Sequence, residues 1–365
     1  MTSPLTERIS RFDELRGIAI IGVIAAHAAA HDINYASTSW NYWILSISTL
    51  LGRFAVPSFL ILSGFFISYK EKHDEVFSLQ KSVLRRVDRI FPPYLIWSSI
   101  YFLIFVLLGS HYSRNPIQIY LEQLITGTVA LHLYFVVLIL QMYALCYLGF
   151  MKNGNLSFTA LILVASIFLV FSLPSYWLAL HENGGSKTTY YFIAYERSLF
   201  PRWLPFFIVG RWMGARWERV KNYAENHSSA LLMCLIFSFS LCVLEFSVLR
   251  NLSPRSDFLA PDWMISFLFF GSLFTIWFLT RNIRENNILH VLRKLGVVSF
   301  GVYLIHEPLL TFMMYLKLFH ANTMIFPTEL LRLPFFILSS LGISLIAISL
   351  MQHFFPKRLK RYILG

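Results

Sequence analysis

Two ionisable residues on the first apolar segment, Arg16 and His27, have a spacing that could place them in one reaction site. Eleven positions are about three turns of an α-helix, so the two side chains share a face and lie roughly 16 Å apart along the axis. A neutral imidazole can take a proton from a hydroxyl, and ionisable groups inside a membrane are costly and commonly functional. We interpret His27 as a candidate general base and Arg16 as its partner in a catalytic site.

Each of these two residues also has a plainer interpretation. An arginine at the end of an apolar segment often only sets the orientation of that segment in the membrane. A histidine flanked by alanines, as His27 is, could hydrogen-bond a neighbouring helix. The small neighbours would also let a substrate approach closely, and we favour the base over the structural histidine.

A second basic pair, Arg86 and Arg89, lies at the entrance to the third apolar segment. Residues three apart project to neighbouring positions on a helix, and two guanidinium groups there could hold phosphate oxygens by paired hydrogen bonds. The pattern predicts a site for a polyphosphate ligand. The alternative is an anchor that contacts anionic lipid.

Further polar residues occur inside apolar segments and could line a cavity or bind an acceptor. Glu307 and Arg53 could instead pair within the bundle, which would reduce the need for a catalytic role. Pro308 directly follows His306 and Glu307 and could kink the helix, which is a way to open a cavity. The candidate cavity or acceptor residues are Arg53, Ser63, His132, Tyr134, His306 and Glu307.

The composition excludes a soluble protein. Of the 365 residues, 56% are hydrophobic and only 14% are charged, and the mean hydropathy is +0.59. The net charge of +12 could suggest nucleic acid, but the basic residues lie at the ends of apolar segments, so we expect no nucleic-acid partner. The first apolar run has acidic residues before it and no small-residue cleavage site, so we expect a retained span rather than a signal peptide.

The three cysteines, Cys146, Cys234 and Cys242, all lie in apolar runs. They form no Cys-x-x-Cys or Cys/His spacing of the kind that binds a metal ion. We therefore expect reduced core cysteines, no metal site and no permanently bound cofactor.

The hydropathy pattern predicts an all-α, polytopic integral membrane protein with about ten transmembrane helices. We see no repeat or soluble linker and expect a single transmembrane domain over residues 1–365, with no appended soluble domain. The predicted spans cover residues 17–35, 43–69, 91–109, 130–150, 157–180, 200–215, 229–249, 262–280, 296–316 and 334–354. With an even number of spans, most of the 31 lysine and arginine residues fall on one side if both termini are cytoplasmic.

Five segments, taken in order, resemble the successive sequence blocks of acyltransferase family 3. Any one block is weak, but together they run from the first predicted span to the ninth. The blocks are Arg11-Phe-Asp-Glu-Leu-Arg16-Gly with His27, Phe59-Leu-Ile-Leu-Ser-Gly-Phe-Phe-Ile, Arg86-Val-Asp-Arg89-Ile-Phe-Pro-Pro-Tyr, His132-Leu-Tyr-Phe, and Ser299-Phe-Gly-Val-Tyr-Leu-Ile-His306-Glu-Pro308.

The resemblance implies an inner-membrane enzyme that moves an acyl group, usually acetyl, from cytoplasmic acyl-coenzyme A to a hydroxyl of a carbohydrate or glycolipid. It links Arg16 and His27 to catalysis, and Arg86 and Arg89 to the acyl donor. The chain departs from the family pattern at Tyr134, where a tryptophan is expected, and in the second block, where Pro57-Ser58 replaces aromatic or aliphatic residues. These departures bear on substrate fit rather than on the reaction.

The residues leave other functions open. The same buried charges could line the pathway of a carrier or flippase for a sugar or lipid-linked glycan, which would move its substrate without cleaving a thioester. A non-enzymatic subunit of an envelope assembly complex is a third possibility, but it leaves the arginine and histidine blocks unexplained. We expect a polysaccharide-modifying O-acetyltransferase, acting either by direct transfer or through an acyl-histidine.

Overall fold

A computed structural model describes residues 4–30, 40–74, 77–107, 115–130, 132–149, 198–252, 265–315 and 329–365, with a few positions between 163 and 173. These described residues contain helices and connecting turns and no strand, as the all-α prediction requires. In chain order the helices are α1 Pro4–Ala30, α2 Trp40–Gly52, α3 Ala55–His73, α4 Leu79–Leu107, α5 Pro116–Thr126, α6 Tyr134–Tyr147, α7 Phe200–Ala215, α8 Trp217–Asn226, α9 Ser228–Leu252, α10 Ile265–Thr280, α11 Asn287–Val297, α12 Ser299–Tyr315, α13 Glu329–Phe354 and α14 Lys357–Leu364.

Several of these helices are long and apolar enough to cross a membrane, so the protein is a multi-pass membrane protein. Within the described residues there are four such runs, or five if α11 and α12 count as one bent span. The four are Trp40–His73, Leu79–Leu107, Ser228–Val248 and Leu331–Phe354.

The predicted spans agree with the helices to different degrees. The spans 130–150, 200–215 and 262–280 correspond to α6, α7 and α10, which are shorter than a full crossing. The span 157–180 lies outside the described residues, apart from isolated positions, as do residues 31–35 of the first span. The total of ten spans therefore stays a prediction.

The predicted span 43–69 consists of two helices, α2 and α3, with a turn at Arg53 and Phe54 between them. Pro57 contributes to this break because it has no N–H to donate to the carbonyl of Arg53. Ser58, which departs from the family pattern, contributes to packing between helices. Its hydroxyl lies 2.8 Å from that of Thr275 on α10.

The helix that carries Arg16 and His27 is the centre of the bundle. α1 contacts α2, α3, α10, α11, α12 and α13. Its backbone approaches α11 closely at two glycines: a Cβ on Gly17 would lie 2.1 Å from the Leu292 carbonyl oxygen, and one on Gly296 would lie 1.7 Å from that of Asp13. No other residue type fits at these two contacts without a shift of the backbone.

A buried carboxylate also joins α1 to α11. Glu14 is fully buried and accepts hydrogen bonds from Arg11 (3.0 Å) and from Arg293 on α11 (2.6 Å), and Arg293 also pairs with Glu285 (2.6 Å). A buried carboxylate is costly unless charged donors satisfy it, as Arg11 and Arg293 do here. The network therefore fixes where α1 lies, and with it the height of Arg16.

On the other side of the bundle, α3 packs against α7. Arg211 is buried and donates to the Ser68 hydroxyl (2.9 Å) and to the Glu71 carboxylate (2.7 Å). Its third nitrogen lies 3.6 Å from the Cys146 sulfur on α6. Cys146 and Cys242 are buried, as predicted, whereas Cys234 is exposed on the surface of α9.

Candidate active site

A cavity of about 290 Å³ lies where α1, α3, α4, α6 and α12 meet. Three arginines line it, Arg16 from α1 and Arg86 and Arg89 from α4, and Ser63 of α3 lies on its wall. Arg86 and Arg89 lie on the same cavity wall, and the structure adds Arg16 to them. Three fixed positive charges in one concave site would bind a polyanionic group.

The neighbouring Arg85 differs from this pair. Its side chain donates to the Lys81 carbonyl oxygen on its own helix (3.3 Å), and it is not among the residues that line the cavity. Arg86, in contrast, lies 6.0 Å from the Tyr143 ring centre inside the cavity.

Arg16 is held in a defined position within the cavity. Its guanidinium donates to the Asp13 carboxylate (2.6 Å) and lies 5.2 Å from the centre of the Phe66 ring. One third of its side chain is exposed. Asp13 and Phe66 fix the arginine from one side and leave the cavity side able to contact a ligand.

A second cluster of polar residues lies further along α1. His27 Nδ1 is 3.7 Å from a Glu307 carboxylate oxygen, and His306 Nε2 is 3.9 Å from the same oxygen. The His132 ring lies 5.1 Å from that of His306 and 6.1 Å from that of His27. Three imidazoles and one carboxylate from α1, α12 and the segment before α6 therefore converge at one place.

The proline after Glu307 takes part in this cluster indirectly. α12 continues as a helix through Pro308, and the sharp bend, of 81°, lies between α11 and α12 instead. Because Pro308 has no N–H, the Leu304 carbonyl is free to accept the hydroxyl proton of Tyr101 on α4 (2.9 Å).

The hydrogen bond from Tyr101 to the Leu304 carbonyl determines which nitrogen of His132 carries the proton. The Tyr101 oxygen lies 3.3 Å from His132 Nε2, and since its own proton is used on Leu304, the histidine must be the donor. His132 Nδ1 is then a lone-pair acceptor. It is buried and has no hydrogen-bond partner among the described residues.

His306 is fixed in the same way by Tyr303, one turn earlier on α12. Its Nδ1 lies 2.8 Å from the Tyr303 carbonyl oxygen, which can only accept, so Nδ1 carries the proton and Nε2 presents a lone pair beside Glu307.

Tyr303 connects the cavity to the cluster. Its side chain lines the arginine cavity, its ring is 5.1 Å from that of His132, and its hydroxyl donates to the His132 carbonyl. The two polar regions are therefore adjacent, with the Tyr303 side chain between them. A ligand whose anionic end binds the arginines would have its other end close to the histidines.

Two candidates from the sequence lie elsewhere. Arg53 is in the turn between α2 and α3, where its N–H donates to the Thr49 and Leu50 carbonyls (3.2 and 3.3 Å). Tyr134 begins α6, with its ring 6.2 Å from that of Trp203. Neither lines the described cavity. The pairing of Arg53 with Glu307 stays a prediction, and a Glu307 carboxylate oxygen lies within 4 Å of His27 and of His306.

Sequence reasoning missed Tyr303 and Tyr101. For Tyr303 a signal existed, because it precedes His306 by three positions and so shares its helix face. Tyr101 had none, since an aromatic residue within a span is ordinary.

The chemistry open to this arrangement is proton transfer beside an anion site. The cluster offers imidazole lone pairs and a carboxylate, which can accept protons from hydroxyl groups or hold a metal ion, and the cavity offers three cations. The described residues that line the cavity include no histidine that could act as a base for a serine or cysteine nucleophile.

Comparison with known proteins agrees with this chemistry. Residues 9–349 match a family model described as an acyltransferase domain, that of acyltransferase family 3. No solved structure matches the chain.

Similar curated proteins come from staphylococci and carry the name probable poly-beta-1,6-N-acetyl-D-glucosamine export protein. One from Staphylococcus aureus strain MRSA252 is 25% identical over 86% of this chain and 75% of its own length. Another, from strain MSSA476, is 24% identical over 75% of this chain and 74% of its own. A third, from Staphylococcus epidermidis, is 23% identical over 75% of this chain and 73% of its own.

Proposed function

The chain belongs to acyltransferase family 3, and from that membership we propose that it is a membrane-bound O-acyltransferase that moves an acetyl group from acetyl-coenzyme A to a hydroxyl of a cell-envelope or exported carbohydrate. The observation that carries the proposal is the arrangement of the two polar regions. A cavity with three arginines lies beside a cluster of histidines, and Tyr303 lines the first while its ring contacts the second.

The arginine cavity suits the donor. Coenzyme A carries several phosphate charges, and Arg16, Arg86 and Arg89 would bind them by charge-assisted hydrogen bonds. A volume of about 290 Å³ is at the lower limit of small-molecule pockets, which start at roughly 300 Å³. The cavity would therefore hold part of the donor, with the pantetheine arm directed past Tyr303.

The histidine cluster suits the reaction. Glu307 beside Nδ1 of His27 would orient the ring, and Nε2 would then take the proton from the acceptor hydroxyl as its oxygen attacks the thioester carbonyl carbon. The C–S bond breaks, and the coenzyme A thiolate leaves with a proton from the imidazolium. In a variant of this scheme, the imidazole itself attacks the thioester and releases coenzyme A. The acyl-histidine that forms then passes its acyl group to the acceptor hydroxyl.

The geometry favours one of two possible roles for Arg16. About eleven residues of helix separate it from His27, a rise of roughly 16 Å, which is too far for it to stabilise charge at a carbon next to that histidine. Arg16 therefore positions the donor together with Arg86 and Arg89.

The membrane arrangement we propose follows from this placement. Coenzyme A is cytoplasmic, so the arginine cavity faces the cytoplasm, and the ten-span topology with both termini on that side agrees with it. In this arrangement the protein lies in the inner membrane, and the acceptor hydroxyl reaches the cluster from the opposite side or from within the bilayer.

The names of the relatives favour a second candidate. They are called export proteins for a polymer of N-acetylglucosamine, which suggests a polysaccharide as the substrate and transport as the activity. A carrier would use the buried charges as a pathway. We place this function second because transport gives no reason for a cavity of three arginines next to a cluster of three histidines.

Release of free thiol separates the two functions. The protein is purified in detergent, reconstituted in nanodiscs and supplied with acetyl-coenzyme A or a longer acyl donor, and coenzyme A is measured with a thiol reagent. An acyltransferase releases coenzyme A slowly by itself and faster with an N-acetylglucosamine oligomer or another hydroxyl acceptor. A protein that releases none from any donor, yet moves the oligomer across liposomes, is a carrier.

A further inference from the structure

The histidine cluster has the donor set of a metal site. One ligand atom from each of His27, His306 and Glu307 lies within 4.8 Å of the others, and two of the three distances, 3.7 and 3.9 Å, are shorter. Ligand atoms around a tetrahedral zinc ion, at bond lengths of about 2.0–2.2 Å, lie roughly 3.3–3.5 Å apart. Small shifts of the side chains would bring all three atoms into a coordination sphere.

The protonation of His306 fits this use. Its Nδ1–H donates to the Tyr303 carbonyl at 2.8 Å, so Nε2, which lies beside Glu307, carries the lone pair that would coordinate an ion. Metal-binding histidines ordinarily donate their second N–H to a backbone carbonyl or carboxylate, which fixes the ring and raises the basicity of the ligating nitrogen. His306 has this support before any ion binds.

His132 supplies an independent observation. It is 1% exposed, its Nδ1 is a lone-pair acceptor without a hydrogen-bond partner among the described residues, and its ring is 5.1 Å from that of His306. A buried acceptor of this kind is costly unless a donor or a cation satisfies it. The same cluster therefore offers a fourth nitrogen to an ion or to a water molecule bound by it.

We propose that His27, His306 and Glu307 bind one divalent transition-metal ion of the zinc class, with His132 next to the ion. Two imidazoles and one carboxylate suit zinc, cobalt or nickel, whereas magnesium and calcium require oxygen ligands. The side chain of His27 is one quarter exposed, so an ion can reach the site.

Binding of the ion has a consequence for the proposed reaction, and this consequence alone rests on the proposed function. A metal ion on His27 occupies a lone pair of the proposed base and fixes the ring. Zinc at the site would therefore inhibit acyl transfer, and a chelator would restore it. Binding of the metal itself needs neither the donor nor the acceptor.

Cobalt is the probe for the site, since its visible absorption reports nitrogen and oxygen ligands and a near-tetrahedral geometry. We expect the detergent-purified full-length protein, stripped with a chelator, to bind one Co²⁺ with this spectrum and to lose the spectrum when one equivalent of Zn²⁺ is added. His306→Asn and Glu307→Gln should each weaken binding by more than about tenfold.

The matched control is the variant His227→Ala/His290→Ala/His353→Ala, which removes three exposed histidines outside the cluster and should bind Co²⁺ as the wild type does. If this control loses the ion and the two cluster variants keep it, surface histidines are the ligands and the proposal is wrong. A wild-type protein that binds no Co²⁺ also overturns it.

A measurement on the wild-type protein covers the case in which the cluster variants do not fold. Diethyl pyrocarbonate modifies accessible imidazoles, and mass spectrometry gives the extent at each histidine. Zinc should protect His27 at least tenfold while His290 reacts as before. Equal modification of His27 with and without zinc would contradict the site, whatever the result of the thiol assay.

Discussion

The hydroxyl of Tyr303 donates a hydrogen bond to the backbone carbonyl of His132. One end of this tyrosine is therefore fixed to the histidine cluster while its ring lines the arginine cavity. Tyr303 therefore links the arginine cavity to the histidine cluster. The proposed reaction needs these two regions at a fixed distance from each other.

Replacement of Tyr303 tests this connection. Tyr303→Phe keeps the ring on the cavity wall and removes the hydroxyl, so the His132 carbonyl loses this donor and keeps the Phe135 N–H at 3.3 Å. We expect turnover to fall about tenfold, the effect of one lost hydrogen bond of roughly 1.4 kcal/mol, with the Kd for the donor changed less than about threefold. Steady-state kinetics and isothermal titration give the two quantities. Equal losses in both would mean that the hydroxyl acts on the donor cavity and not on the cluster.

The proposed base makes a prediction about pH. His27→Ala should lower the rate of transfer by about 10²- to 10⁴-fold, as expected for loss of a positioned general base. The wild-type rate should fall as the solution becomes acidic enough to protonate the imidazole, because the protonated ring cannot accept the hydroxyl proton. Glu307→Gln keeps the shape and removes the charge beside Nδ1, and should reduce the rate by a smaller factor. A pH profile of His27→Ala that keeps the wild-type acid limb would assign the titration to another group.

The donor site makes a prediction about binding. Arg86→Ala and Arg89→Ala should each raise the Kd for acetyl-coenzyme A by about 10- to 100-fold, the range for a hydrogen bond to a charged group. Added salt should weaken wild-type binding more than binding to the double variant, since fewer ion contacts remain. The matched control is Arg85→Ala, because Arg85 does not line the cavity and donates to the Lys81 carbonyl of its own helix. An effect of Arg85→Ala as large as that of the other two would indicate a general surface charge instead of a site.

The contact between α1 and α11 makes a prediction about stability. A methyl group on Gly17 would meet the Leu292 carbonyl, so Gly17→Ala should lower the free energy of unfolding by about 1–3 kcal/mol. The movement of α1 should also reduce donor binding, because Arg16 is the adjacent residue. Gly342→Ala is the control, since a Cβ there meets nothing within 4 Å, and it should be neutral or stabilising by up to about 1 kcal/mol. Thermal unfolding in detergent compares the two variants, and equal midpoints would contradict the close packing.

Relationships between residues on the same helix could be predicted from the sequence. Arg16 with His27 and Arg86 with Arg89 are such pairs, and each lies on one helix as expected, because helical periodicity alone relates them. The boundaries of α7 agree with the predicted span 200–215 for the same reason.

Relationships across the bundle could not be predicted in this way. His27, His132 and His306 come together because the whole bundle folds, and nothing local specifies their distances. Packing between helices also determines three other features. Arg16 and His27 lie in two different regions, and Arg53 and Tyr134 do not line the cavity. The bend lies before α12 instead of at Pro308. The Tyr101 bond to the Leu304 carbonyl shows the cause in one case: a proline leaves an acceptor open, and only the fold determines which donor reaches it.

Donor binding and thioester cleavage, measured side by side on the purified protein with acetyl-coenzyme A, test the central claim most directly. The wild type should bind and slowly cleave the donor, His27→Ala should bind it without cleavage, and Arg86→Ala/Arg89→Ala should fail to bind at concentrations that saturate the wild type. A wild-type protein that neither binds nor cleaves acetyl-coenzyme A or a longer acyl donor would contradict the acyltransferase mechanism.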